Sequence, residues 1–389
     1  MAAGSTAGAT TWRLQVQAGP HSRPAAPLCV GAPGGARAGA YRLRYPGGAV
    51  WAQVQAGELL AVLPALAAGE SRVCTVEASD DAEALAVARH EGERIDVAVD
   101  GSPVGSLHLA SGPKPFLHPV LLPGGQALTR RIPPDAAKGD VQDHPHHQGL
   151  WVGHGDVDGV DTWANNPRNL GSEVVRAASC DSGPVAARIA LDLAWTAPDG
   201  RVVLLEQRTY RFWHSGPDRR LIDVSSRFRG PGAAPVRFGD TKEGALCCIR
   251  LAAGMEGNRG GLITTSTGGR TEEEAWGRPA AWCDYSGQPF ADDGHSRLEM
   301  IGVALFDHPD NPLFPTRWHV RDYGLFTANP FGLHDYRPGR GEHGDWTIPA
   351  GTEATFRYRI YAHTGDAELA AVRAHYADWA WPVKATFAD

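Results

Sequence analysis

Apolar and polar residues alternate with a period of two along much of this chain, which predicts strands. The clearest run is a meander. Residues 185–195 alternate, Pro198-Asp199-Gly200 turns, 202–213 returns, a second turn falls at 214–218, and 221–228 follows. Such strands are longer than usual and suit a large antiparallel sheet. Residues 300–307 and 353–362 repeat the pattern. Earlier, shorter segments alternate at 11–16, 40–45, 50–55, 94–99 and 104–109, and Asp100-Gly101 reads as the hairpin turn between the last two. Helical patterning is confined to 81–89 and to the C-terminus. There Asp366 is placed to cap a helix in which Leu369, Val372, Tyr376 and Trp379 recur before Pro382.

The pattern predicts a mainly β protein built as an antiparallel β-supersandwich, with a C-terminal helix. Residues 1–110 read as a small N-terminal β-sandwich domain, and 111–389 as a large β-sandwich domain. Composition agrees: 47 glycines and 29 prolines fit many strands joined by tight turns. A net charge of −7 without a basic stripe argues against nucleic-acid binding. The six cysteines form no C-x-x-C pair and read as reduced, mostly buried thiols, with Cys247 and Cys248 on opposite faces of a strand. The longest apolar run, 59–68, is broken by Pro64 and too short to span a bilayer, and residues 1–11 lack the features of a signal peptide. The expectation is a cytoplasmic protein that engages no membrane.

Between 113 and 169 the chain is loop-rich and carries its most informative segment, which holds His144, His146, His147 and His154 beside Trp151. Histidine titrates near neutrality and is the commonest metal ligand. Pro145 forbids a regular helix here. In an extended segment His144 and His146 would share one face, with His147 and Trp151 on the other. Two imidazoles on one face can act as an acid/base pair, one neutral and one protonated. They can equally hold a divalent metal with a carboxylate such as Asp156 or Asp161. For His154, between Gly153 and Gly155, a buried ring bonded to loop backbone is as good a reading as a functional one.

Two further segments carry chemistry. Gly239-Asp240-Thr241-Lys242-Glu243-Gly244 sets an acid, a base and an acid on a glycine-bounded turn. The stretch from Trp318 to Asp335 mixes aromatic rings with Arg321, Tyr323, Asn329 and His334, as sugar sites do when ring C–H faces pack on aromatics and planar polar groups take hydroxyls. The candidate catalytic residues are His144, His146, His147, Lys242, Glu243 and Arg321. The candidate substrate-binding residues are Trp151, Asp156, Asp161, Trp163, Asp240, Tyr323, Asn329 and His334.

These segments, with Pro115-Phe116, His118-Pro119 and the stretch 276–287, resemble the bacterial family that goes by the name methane oxygenase PmoA, a domain of unknown function. The likeness covers most of 113–335. The name itself is misleading, since that oxygenase subunit is an integral membrane protein. What the resemblance implies is a galactose-mutarotase-like supersandwich and a functional link to a sugar oxidoreductase and to 3-keto-glycosides. The expected function is a carbohydrate-active enzyme, a lyase or hydrolase that cleaves an oxidised (3-keto) glycoside by acid/base elimination or hydrolysis. The alternatives are a mutarotase- or epimerase-like enzyme and a non-catalytic carbohydrate-binding partner protein. No cofactor is called for beyond the possible divalent metal.

Overall fold

A computed structural model describes residues 11–136, 140–163, 167–291 and 294–388. The leader reading of residues 1–10 lies outside them. Nearly every alternating run becomes a strand, and every strand ladder among the described residues is antiparallel. The meander forms Ala186–Thr196, Val202–Trp213 and Arg219–Arg229, within a residue or two of the bounds that alternation indicated. Both residues of the Asp100-Gly101 turn take positive φ (53° and 71°), as a two-residue hairpin requires.

Two eight-stranded sheets pack face to face. The first runs in the order Trp318–Val320, Leu325–Ala328, Gly244–Arg250, Leu150–His154, Phe116–His118, Ser102–His108, Arg94–Val99, Ala86–Glu91. The second runs Ser172–Asp181, Ala186–Thr196, Val202–Trp213, Arg219–Arg229, Glu353–Thr364, Ile301–Asp307, Trp282–Gly287, Leu262–Thr265. Between them Leu117, Leu150, Val152, Ile249 and Phe326 meet Ile189, Leu191, Tyr210, Val224, Leu305 and Phe356. Burying each such side chain stabilises the fold by roughly 1.5–3 kcal/mol before entropy is counted.

The N-terminal strands form one seven-stranded sheet, completed at its edge by Lys384–Phe387 from the far end of the chain. One face of this sheet buries Leu14, Val16, Leu43, Val54 and Val76. The other sets Leu60 against Val185, Trp213 and Tyr376 of the large sandwich. The three strands between residues 86 and 108, which the sequence grouped with the N-terminal segment, pair instead into the first large sheet. The expected helix at 81–89 is a loop followed by the strand Ala86–Glu91. Pairing with Arg94–Val99 turns Ala86 and Ala88 into the core, which outweighs alanine's helix propensity. The C-terminal helix is shorter than its periodicity suggested, Val372–Ala380. Asp366 accepts the backbone N–H of Glu368 and Leu369 in the turn before it, and Leu369 is exposed. All six cysteines are free thiols, and Cys247 and Cys248 do point to opposite faces. No helix among the described residues is long and apolar enough to cross a membrane.

Candidate functional site

The face of the first sheet that turns away from the sandwich core carries a row of in-register neighbours. His108, Phe116, Trp151, Cys248, Thr327 and His319 follow one another across six strands. Cross-strand neighbours project to the same side, so this face is aromatic and imidazole-rich while its reverse is aliphatic. The histidine loop lies over the row.

The loop is not extended. His144 adopts a left-handed conformation (φ 44°), and the backbone N–H of His147 donates to His144 O at 2.9 Å, closing a turn. The face assignment drawn from alternation is therefore corrected. The turn stacks His144 on His147 (4.9 Å, 2° between planes), and His147 stacks in turn on Trp151 (5.5 Å, 17°). Tyr323, from the tip of the Trp318–Ala328 hairpin, covers the other side of His144 (5.3 Å, 4°). The result is a four-ring column, Tyr323–His144–His147–Trp151, with His146 and Trp163 set edge-on to His147 at 4.4 and 5.3 Å.

Two arginines fix the loop. Buried Arg130 donates to the carbonyls of Val141, Asp143, His144 and His147 and to the Asp143 carboxylate. Arg250, fully buried, donates to the same carboxylate oxygen at 2.8 Å and lies over the Tyr323 ring at 4.8 Å. The other carboxylate oxygen of Asp143 accepts His144 Nδ1–H at 2.9 Å. Partial desolvation opposes the Asp143 charge, but Arg250, His144 and Arg130 together hold the carboxyl below its usual range. With Nδ1 so engaged, Nε2 is the remaining ring nitrogen of His144, whose side chain is 44% exposed.

Gly149 closes the loop with φ 58°, and a Cβ there would lie 2.1 Å from Leu117 O. We expect Gly149→Ala to destabilise the protein by more than the ~1–2 kcal/mol of a left-handed residue alone, and to broaden the His144 and His147 ring signals in NMR. An unchanged urea midpoint would contradict this.

Burial holds His146 at about 4, with the charges of Lys114, His144 and Arg130 adding to the effect. His146 is thus neutral at pH 7. Burial likewise puts His319 at about 4 and pushes His147 far down. The unfolded chain takes up a proton near pH 6.5, whereas native His146 does so only near 4. Its contribution is therefore lost as pH falls from about 6.5 to 4. The stability difference between wild type and His146→Gln, read from urea midpoints at several pH values, should move in favour of the variant across that window. A pH-independent difference would overturn the assignment.

Several ring nitrogens at this face are buried without a hydrogen-bond partner among the described residues: His146 Nε2, His147 Nε2, Trp151 Nε1, Trp163 Nε1, His319 Nε2 and Trp276 Nε1. Each such group destabilises the protein by about 1–3 kcal/mol when left unsatisfied. Their concentration at one place marks a surface completed by a polar ligand or by ordered water.

The other sequence candidates divide. Arg321 lies beside the column, 5.6 Å from the Tyr323 ring and 5.8 Å from the Trp276 ring, with its Nε 2.8 Å from Glu272. Lys242 stands at the rim, 3.6 Å from Glu243 and 3.8 Å from Asp335, and its carbonyl accepts His319 Nδ1–H. Asp240 is occupied by the backbone N–H groups of His334 and Gly344. The Asn329 amide is spent on Thr241 O, Lys242 O and the Phe331 N–H. His334 is exposed and stacks on His343. Asp156 pairs with Arg237 and holds the Gly159 N–H, while Asp161 is buried. These five shape loops instead of joining the ring column. His154 is a structural histidine whose Nε2–H donates to Gly239 O at 2.9 Å. Among the described residues, no three His, Cys, Asp or Glu side chains converge as metal ligands.

Sequence reading missed Asp143 as the partner of His144, and it missed Arg130, Arg250 and Lys114. Lys114 is fully buried and donates to Trp163 O at 3.0 Å; burial lowers it to about 8, against the pull of Glu173, Cys248 and Asp161. Asp143 stood next to His144 and was legible. The three cations lie in separate strands and loops, and only the fold brings them here.

A model of a family of unknown function, DUF6807, matches residues 94–377. No curated protein matches the chain. Among solved structures, an α-mannosidase from Enterococcus faecalis V583 superposes with a TM-score of 0.44 at 9% identity, over 97% of this chain and 46% of its own. This chain thus spans about half the length of that enzyme. A candidate aldose 1-epimerase from Klebsiella pneumoniae gives 0.34 at 11% identity, over 97% of both chains. A GalM/aldose epimerase homologue from C. elegans gives 0.28 at 9%, over 73% of this chain and all of its own.

Proposed function

The chain belongs to the DUF6807 family, a family of unknown function, and we propose that it is a carbohydrate-active enzyme that cleaves 3-keto-glycosides by acid/base elimination. The observation that carries this reading is the ring column with its unpartnered nitrogens and the Asp143–His144 pair on its open side. Flat aromatic faces take the C–H surface of a sugar, and fixed N–H donors and acceptors take its hydroxyls.

A ketone at C3 acidifies the C2 proton, so a neutral imidazole is a sufficient base. His144 Nε2 removes that proton, Asp143 stabilises the imidazolium that forms, and the electron pair passes into the C3 enolate. Arg321, about a third exposed beside Tyr323, supplies positive charge toward the enolate oxygen. The enolate then collapses, the C1–O bond breaks, and a C1=C2 double bond forms beside the restored ketone. The departing oxygen takes the proton from His144, which leaves the enzyme unchanged and the aglycone released as its alcohol. Trp151 and Trp163, both buried, brace the histidines from beneath, and Lys242 with Glu243 forms the polar rim.

The test is aglycone release from 3-keto-glucosides by wild type, His144→Ala and His146→Ala. Release that His144→Ala reduces by at least ~10²-fold in kcat, with KM little changed, supports the assignment. Binding without release under any condition would instead favour a carbohydrate-binding protein. Anomer interconversion without C1–O cleavage would favour a mutarotase.

A further inference from the structure

Behind Trp276, on the side away from the ring column, lies a cavity of about 330 Å³. Its walls include Trp276, Tyr336, Arg278, Arg337 and Arg340, with Glu273 as a single carboxylate in the lining. Trp276 belongs to both places. Its ring meets His319 at 6.3 Å and Arg321 at 5.8 Å, and it packs edge-on to Tyr336 at 5.1 Å.

Arg337 already holds a carboxylate, that of Glu342 at 3.1 Å, whereas among the described residues no carboxylate or carbonyl is bonded to the guanidinium of Arg278 or Arg340. A fourth arginine, Arg317, stands close behind and donates to Gly277 O. Burial, and then the charge of Arg337, lower its proton affinity, with Glu342 and Tyr336 opposing and Arg278 adding a smaller push. The Tyr336 hydroxyl, on a residue 9% exposed, has no partner. Three guanidiniums, two of them unfilled, line one cavity beside an orphaned O–H donor and suit an anion, and the arginine fork fits carboxylate and phosphate alike.

We infer that this cavity binds an anionic group, carboxylate or phosphate, carried by the part of the substrate beyond the reacting sugar ring. The inference rests on the elimination reading for its link to a substrate, but the anion site has its own readout. Benzoate, phenyl phosphate and neutral benzamide are titrated calorimetrically into the full chain and into Arg278→Ala/Arg340→Ala, two exposed positions that leave the core untouched. Expected is binding of at least one anion, with benzamide and the double variant each weaker by ~10-fold. The tighter of the two anions identifies the source. No anion binding, equal binding of benzamide, or wild-type affinity in the variant would each overturn the site.

In turnover, a 4-carboxyphenyl 3-keto-glucoside should show a lower KM than its 4-nitrophenyl counterpart. The double variant should remove that advantage at unchanged kcat. If neither glycoside is cleaved while anion binding is lost in the variant, the elimination reading fails and the anion site stands.

Discussion

Arg208→Ala is expected to destabilise the protein by about 3–5 kcal/mol, the largest effect of any single substitution considered for this fold. Arg208 is fully buried between two carboxylates that are fully buried themselves. It donates to Glu173 at 2.7 Å and, through two nitrogens, to Glu206 at 2.7 Å, while Trp195 Nε1–H completes Glu206 at 2.8 Å. Burial pushes the Glu173 carboxyl up even with Arg208 beside it. Removing the guanidinium leaves Glu173 and Glu206 in the sandwich interior without a counter-charge, so that they must take up protons to stay buried, and it leaves a cavity where the side chain lay. Urea unfolding of wild type, Arg208→Ala and the triple variant Arg208→Met/Glu173→Gln/Glu206→Gln separates charge from packing. If the charge argument holds, the triple variant recovers much of the loss, because removing all three charges abolishes the desolvation penalty together with the attraction. A single variant with a near-native midpoint would refute it.

Asp143→Asn should leave the fold recognisable and damage both activity and stability. The carboxylate is the common acceptor of Arg130, Arg250 and His144. Asparagine keeps one oxygen for the arginines but gives up the charge, and its N–H₂ confronts the Nδ1–H of His144. The imidazole then loses both its orientation and the stabilisation of its protonated form. Turnover is expected to fall by roughly 10²–10³-fold, and stability by about 2–3 kcal/mol, since the two buried cations keep carbonyl partners, His147 Nδ1 and the more distant Glu256 but lose their shared carboxylate charge. The double variant with His144→Ala decides whether the two act together. If they form one unit, its turnover is no lower than that of His144→Ala alone. Multiplicative losses would mean that Asp143 acts through the loop shape instead of through the imidazole.

Both predictions concern residues that the one-dimensional pattern represents poorly. Alternation marked 185–228 correctly because the period of two is a local property: one face of each strand meets the core and the other does not. The same logic set Cys247 and Cys248 on opposite faces and found the Asp100-Gly101 turn. It failed at residues 81–89, where alanines favour a helix locally but strand pairing decides. It failed again at the histidine loop, where a left-handed residue and a buried arginine replace extension with a turn.

By itself, then, the sequence determined that the protein is a β-rich, antiparallel fold and that four histidines fall in one short segment, since composition, alternation and turn residues act over a few neighbours. Only the tertiary structure decided which sheet the 86–108 strands join and that the last strand returns to the first sheet. It alone set His144 between Tyr323 and His147, and it alone enclosed Lys114, Arg130, Arg208 and Arg250. Those choices depend on partners up to hundreds of residues away, and the desolvation that selects them exists only once the sheets have packed.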